Sequence, residues 1–234
     1  MQDNETFTIF PIAHIYTDFT EKFGIPRQSG LVGELEGKIV FEPAYALPDA
    51  VRGLEQYSHI WLIWQFSEAA DEGKPFRATV RPPRLGGNTH MGVFATRSPF
   101  RPNRLGLSCV ELVRIEQTDK QGPVLYVKGI DLLNATPIYD IKPYLPYVDC
   151  RENVRGGFTE QVQDYQLFVK CEEKWLQQLP EEKQKALLGV LRQDPRPSYQ
   201  EDEKRIYGMN FAGYDIKFRV ENKTLTVVEV KKSV

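Results

Sequence analysis

The sequence predicts an all-β barrel or sandwich over residues 1–145, followed by a smaller α+β unit. Short apolar or alternating runs recur in the first part between Gly, Pro and Asn residues. Strands alternating with helices of about 10 to 15 residues, the mark of a doubly wound parallel sheet, are missing there. After Asp149 the texture changes to helical spacing and then to a period-two pattern.

In chain order, the expected strands are Thr8 to Tyr16, Lys38 to Glu42, His59 to Phe66, Met91 to Thr96, Leu107 to Glu116 and Val124 to Asp131. The one helix expected among them is Pro48 to Leu54, with Pro48 tolerated in the first turn and Gly53 at the end. Arg151 to Gly157 is polar, carries a Gly-Gly pair and reads as a linker, which divides the chain into domains of residues 1–150 and 151–234. Between Cys171 and Gln193, Trp175, Leu176, Leu179, Leu187, Leu188 and Leu191 follow helical spacing that Pro180 interrupts, predicting two helices or one kinked helix. From Tyr214 the alternation Tyr, Asp, Ile, Lys, Phe, Arg, Val, Glu predicts a strand. It turns at Glu221-Asn-Lys223 into a second strand ending near Val230.

Composition narrows the function classes. The chain carries 30 Lys and Arg against 32 Asp and Glu, a formal charge of −2, and is 41% apolar, as an ordered globular protein requires. No apolar run reaches the roughly 18 to 20 residues of a membrane span, and the start lacks a signal pattern, so the mature protein is expected to begin near Met1. Cys109, Cys150 and Cys171 are odd in number and widely spaced, which predicts reduced thiols in a cytosol, without disulfides or a thiolate zinc site. His14, His59 and His90 are scattered and read as structural, so no metal site is expected. Neither a phosphate-loop nor a dinucleotide glycine pattern occurs, nor does G-x-S-x-G.

Three stretches carry candidate chemistry. Phe23 to Leu31 (FGIPRQSGL) is an early loop in which Pro26 and two glycines leave Arg27, Gln28 and Ser29 displayed. Between Arg77 and Arg104 stand six arginines (Arg77, Arg81, Arg84, Arg97, Arg101, Arg104), four prolines and three glycines, without Asp, Glu or Lys. A planar guanidinium matches phosphate and carboxylate in a bidentate way, so this segment is read as a built anion-binding surface rather than a solvated basic face. The third stretch, Gly129 to Asp149, interleaves Asp131, Asp140, Lys142 and Asp149 with Tyr139, Tyr144 and Tyr147. It is either a site for a base or cationic group, or a proline-rich connection whose tyrosines cover the barrel end.

GVFATRSPFRPNRLGLS at Gly92 to Ser108, RPPRLGGN at Arg81 to Asn88, VRGLEQYSHIWLI at Val51 to Ile63 and TPIYDIKPYLPYVD at Thr136 to Asp149 together resemble the TrmO-like family. Its members are tRNA methyltransferases that act on N6-threonylcarbamoyladenosine beside the anticodon, at position 37. DPRPSY at Asp194 to Tyr199 is similar to the family's bacterial C-terminal extension. The resemblance implies a β-barrel unlike the doubly wound methyltransferases, S-adenosylmethionine as methyl donor, and a cytoplasmic homodimer. Matched motif by motif, it assigns donor contacts to Ser29, Gly30, Leu31, Ser67, Glu68, Arg97, Leu107, Lys128, Gly129, Ile130 and Asp131.

Under the same resemblance, Asp131 and Asp140 become candidates to take the N6 proton, and Lys142 a candidate to orient the threonyl carboxylate. Tyr139 or Tyr144 would stack on the adenine. Arg77, Arg81, Arg84, Arg101 and Arg104 would grip the phosphates of the tRNA anticodon arm, with Arg196 and Lys204 as auxiliary contacts. Asn134-Ala135 departs from the family's usual Asp-Gly. The competing readings are a non-catalytic RNA-binding module, which needs no donor pocket, and a methyltransferase acting on a small molecule or protein.

Overall fold

Strands β1 (Ala13–Thr17), β2 (Glu36–Phe41), β3 (His59–Gln65), β6 (Leu105–Thr118), β7 (Gly122–Lys128) and β8 (Thr136–Pro143) close a barrel in the order β1-β2-β7-β6-β3-β8. Every pairing in it is antiparallel. These relations come from a computed structural model that describes residues 6–67, 76–82, 85, 88–161, 163–196 and 202–233. The alternation that predicts the strands also fills the barrel: Ile15, Ile39, Ile60, Leu62, Val110, Leu125, Val127 and Ile138 are buried. Closure pairs each barrel strand on both sides, except that β7 meets β6 only from Glu111 onward, which leaves the start of β6 open on that side.

Several expectations are corrected. Pairing of β1 begins at Ala13 rather than Thr8; just before it stands Pro11, which has no N–H to donate. Of the run Met91 to Thr96, only β5 (Met91–Gly92) is extended, pairing with β4 (Thr79–Val80). Val93–Ala95 then forms a 3-10 turn because the Thr96 amide and hydroxyl both donate to the Val93 carbonyl, at 3.2 and 2.8 Å. The helix expected at Pro48 to Leu54 is two short 3-10 turns, Pro48–Val51 and Leu54–Gln56, split at Gly53. The stretch from Thr136 is a barrel strand, not a connection; its prolines, Pro137 and Pro143, sit near its two ends, where a missing N–H is tolerated.

After α1 (Pro146–Asp149) the C-terminal unit forms a sheet in the order β10-β11-β12-β9, from β9 (Phe168–Lys170), β10 (Tyr207–Phe211), β11 (Tyr214–Glu221) and β12 (Thr224–Lys232). The helical segment is two helices meeting at Pro180, α2 (Glu173–Leu176) and α3 (Glu181–Arg192). The β11–β12 hairpin turns through Asn222 and Lys223, both at positive φ. Strands β9 and β10 were not expected from the sequence. One hydrophobic core runs through both units, with Phe19, Val32 and Leu35 of the β1–β2 connection between them.

Candidate active site

The β1–β2 connection carries Ser29, Gly30 and Leu31 to the open edge of β6, where β7 no longer pairs. Gly30 donates to the Gly129 carbonyl at 2.8 Å, and Gly129 donates to that of Leu35, also at 2.8 Å. Both glycines have positive φ, +79° and +72°, and a Cβ on Gly129 would stand 3.4 Å from the Gly30 backbone. Two strands of irregular chain thus meet at a distance that glycine permits. The Cys109 amide donates to Ser29 Oγ at 3.1 Å, fixing the loop to β6. Arg97 donates to Gln28 Oε1, which brings the arginine segment against the same loop.

Asp131 closes this group from below. Trp64 Nε1 donates to Ser108 Oγ at 2.9 Å, and Ser108 Oγ donates to Asp131 Oδ1 at 2.6 Å. Ser108 is fully buried, one of few polar side chains inside the barrel. Gly106 makes room for the indole: a Cβ there would lie 2.3 Å from the Trp64 ring. Burial pushes the Asp131 carboxyl up to about 6, against the Ser108 hydrogen bond, the amides of Asp131 and Ser29, and the charge of Arg97. A carboxyl so tuned changes charge near neutral pH, as functional carboxylates do.

Asp140 and Lys142 occupy the other face of the sheet. Leu107 pairs with Ile63, and Ile63 with Asp140, so these three form one cross-strand row. Leu62 and Ser108 pair on the buried face, so the Asp140 row points outward. Two strand spacings, about 10 Å, separate Asp140 from Leu107. Lys142 Nζ meets Asp140 Oδ2 at 2.9 Å, and the Ile141 amide donates to Asp140 Oδ1 at 2.9 Å. Tyr139 donates to Gln65. Tyr144 packs on Trp61 and His59 at ring distances of 5.9 and 6.2 Å. Asp149 Oδ2 accepts from Trp61 Nε1 and the Leu145 amide.

The structure therefore brings Ser29, Gly30, Arg97, Gly129 and Asp131 together; Leu31 is exposed next to Gly30, and Leu107 is exposed on the outward row that leads to Asp140. Ile130 is buried in the core, so its side chain does not line this group. Lys128 pairs with Glu36 at 3.5 Å. Ser67 follows β3 at the exposed surface, and Glu68 lies outside the described residues. Asp140 and Lys142 are joined to each other but not to Asp131.

Of the arginines expected to meet RNA, Arg77 is exposed and Arg81 donates to His90 Nε2 at 3.1 Å. Arg84 lies outside the described residues. Arg101 donates to the Thr96 and Ser98 carbonyls and lies 5.8 Å from the Phe94 ring, so part of its fork holds its own loop. The Arg104 carbonyl accepts from Phe66. Arg196 grips Asp194 with both arms, at 2.8 and 2.9 Å, as a structural clasp, while Lys204 is exposed.

Sequence reasoning missed two groups. Phe76 and Phe94 stack at 6.1 Å while exposed, with Phe100 exposed nearby, a pattern visible as aromatics interleaved with arginines. Trp64, Gly106 and Ser108 were missed because they read as ordinary strand residues. Their signal is a glycine and a serine at successive inward positions of an apolar strand.

Comparison with known proteins agrees along the chain. Residues 14–150 match the model of the tRNA-methyltransferase O N-terminal domain, and residues 164–233 match that of the TrmO C-terminal domain. The Escherichia coli K12 tRNA (adenine(37)-N6)-methyltransferase is 38% identical over 223 residues, spanning 92% of this chain and 94% of the relative. A putative S-adenosylmethionine-dependent methyltransferase of Pseudomonas aeruginosa, RcsF, is 41% identical over 219 residues, 90% and 91% of the two chains. The crystal structure of TrmO from Pseudomonas aeruginosa superposes with a TM-score of 0.80 at 32% identity, covering 100% of both chains.

Proposed function

The chain belongs to the tRNA-methyltransferase O family, and from that premise we propose that it methylates N6 of adenosine 37 in tRNA from S-adenosylmethionine, with the threonylcarbamoyl-modified base as its substrate. The observation that carries the reading is the convergence of Ser29, Arg97 and Asp131 on one group. A bare RNA-binding module needs the arginines but not that grouping.

The residues suit a donor made of a nucleoside and an amino acid. A Cβ at Gly30 would meet nothing within 4 Å, so this side of the loop is open. Leu31 and Leu107 supply exposed apolar flanks, and Asp131 a carboxylate. When bound, S-adenosylmethionine supplies a methyl carbon activated by a sulfonium, so that alignment of the acceptor provides much of the acceleration.

The acceptor N6 is conjugated to a carbonyl and is a poor nucleophile. As its bond to the methyl carbon forms and the carbon–sulfur bond breaks, its proton must leave. In this reading Asp140, held by the Ile141 amide, takes that proton. Lys142 orients the threonyl carboxylate, Tyr144 stacks on the base, and the exposed arginines hold the anticodon arm. The protein acts as a cytosolic homodimer, which light scattering checks as twice 27.0 kDa.

Methyl transfer from labelled donor to tRNA with and without the threonylcarbamoyl group tests the reading. Incorporation confined to modified tRNA supports it; equal incorporation into both removes the threonylcarbamoyl specificity. Asp140→Asn is expected to slow single-turnover transfer at saturating RNA about 100-fold, within the usual range for a lost general base. An unchanged rate would remove Asp140 from the chemistry.

A further inference from the structure

The connection from Asp18 to Leu35 is long for a loop without regular structure, and such loops need something to hold them. The barrel grips it near its far end, through Ser29 and Gly30. Its nearer part is held largely by the C-terminal unit. Lys183 of α3 meets Asp18 at 2.7 Å, in a pair that is mostly withdrawn from solvent. The Ala212 amide donates to the Asp18 carbonyl at 3.0 Å, and the Asn210 amide to Glu21 Oε1 at 2.8 Å. Thr20 donates to Asn210 Oδ1 at 3.1 Å.

Aromatic and close contacts extend this grip toward Ser29. Phe19 packs on Phe211 at 5.5 Å, and Phe23 stacks on Phe218 at 6.5 Å. A Cβ on Gly24 would stand 2.7 Å from Met209 Cε, and one on Gly189 of α3 would stand 2.6 Å from Val32 Cγ1. The contacts therefore fall on both sides of the Ser29–Leu31 tip. Among the described residues, the barrel meets the near end through the Asn134 amide, which donates to the Phe19 carbonyl at 2.8 Å, and holds the entry at Thr17, whose amide donates to Asn134 Oδ1 and whose hydroxyl donates to the Leu132 carbonyl, at 3.0 and 3.1 Å.

We propose that the C-terminal unit is a brace: by holding Asp18 to Gly24 and Val32 it sets the position of the Ser29–Leu31 tip, and through that position the donor affinity of the barrel. The consequence for affinity rests on the reading of that tip as a donor contact. Lys183 is thus a positioning residue that acts through Asp18, without touching donor or RNA.

A charge swap in the full-length chain tests this. Lys183→Glu sets two carboxylates against each other and is expected to weaken S-adenosylmethionine binding, by calorimetry, about tenfold. Addition of Asp18→Lys in the same chain restores the attraction and the affinity, which general destabilisation would not do. Affinity for tRNA stays within about twofold throughout. Lys183→Gln, a milder change, shows a smaller loss in the same direction should the reversal fold poorly. Amide exchange across residues 19–31 separates the brace from the reading it rests on. Exchange that rises in the single variant and returns in the swap, with no chain binding donor, upholds the brace and overturns the donor assignment. Unchanged exchange, or a loss that the swap does not recover, overturns the brace.

Discussion

Ser108 shows how a single hydroxyl can set the behaviour of a site. It accepts from the Trp64 indole and donates to the Asp131 carboxylate, so both of its hydrogen-bonding roles are used inside the barrel. A donated hydrogen bond favours the ionised carboxylate and opposes the burial that pushes Asp131 up. Ser108→Ala removes that donor, so Asp131 ionises at higher pH. The alkaline shift expected in the pH profile of donor binding is about one unit, the size of one charge-assisted hydrogen bond of about 1.5 kcal/mol. Ser108→Thr, which keeps the hydroxyl, should return the profile toward that of the parent; an unshifted profile in Ser108→Ala would show that the hydroxyl does not govern Asp131. Asp131 itself was legible in the sequence through its motif. Ser108 was not, because a serine in an alternating strand looks like any solvent-facing residue until the register assigns it to the barrel interior.

At the scale of elements, strands with clean alternation were legible and those marked by turn-forming residues were not. Strand β8 hid behind Pro137 and Pro143, which read as loop punctuation although they occupy strand ends. Strand β10 hid because Gly208 and Asn210 fill its outward positions, while Tyr207, Met209 and Phe211 are buried. The arginine segment was legible as a charged surface, but not as the short β4–β5 ribbon that presents it. On this ribbon Arg81 is held by His90 and stands exposed, whereas Arg101 is partly committed to its own carbonyls. The two therefore differ in what reversal does. Arg81→Glu should reduce the salt slope of tRNA binding by about 0.7 per single-strand phosphate released, with the barrel's melting temperature unchanged. Arg101→Glu should also loosen the Thr96–Ser98 turn, lowering stability as well as affinity. Filter binding across a salt series, paired with thermal melts, checks this; identical effects at both positions would mean that the turn does not depend on Arg101.

For the molecule as a whole, the barrel and its helical and hairpin extension follow from patterning, whereas the contact between the two units does not. That contact joins residues far apart in sequence, such as Phe19 with Phe211 and Phe23 with Phe218, and no local period records such pairs. The assembled core has a cost at the site it shelters. Asp131 ionises near 3.8 when unfolded and at about 6 in the folded chain. Below the lower value both states are protonated and the carboxyl has no effect on the balance. As pH rises between the two values the unfolded chain ionises first, and folding stability falls; above about 6 the loss is complete. A gap of about two units corresponds to at most about 3 kcal/mol, and contacts with Arg97 and Ser108 are already contained in it. Asp131→Asn removes the titration while keeping an oxygen to accept from Ser108. Its stability relative to the parent should therefore climb between pH 4 and pH 7, by up to about 3 kcal/mol in denaturant titrations, even as donor binding falls. Only the pH-dependent part of the difference reports on the carboxylate, because any difference between the asparagine and the protonated carboxyl shifts both ends alike. A difference that stays flat across that range would mean that folding leaves Asp131 as easy to ionise as water does, and that the barrel does not hold it in a strained charge state.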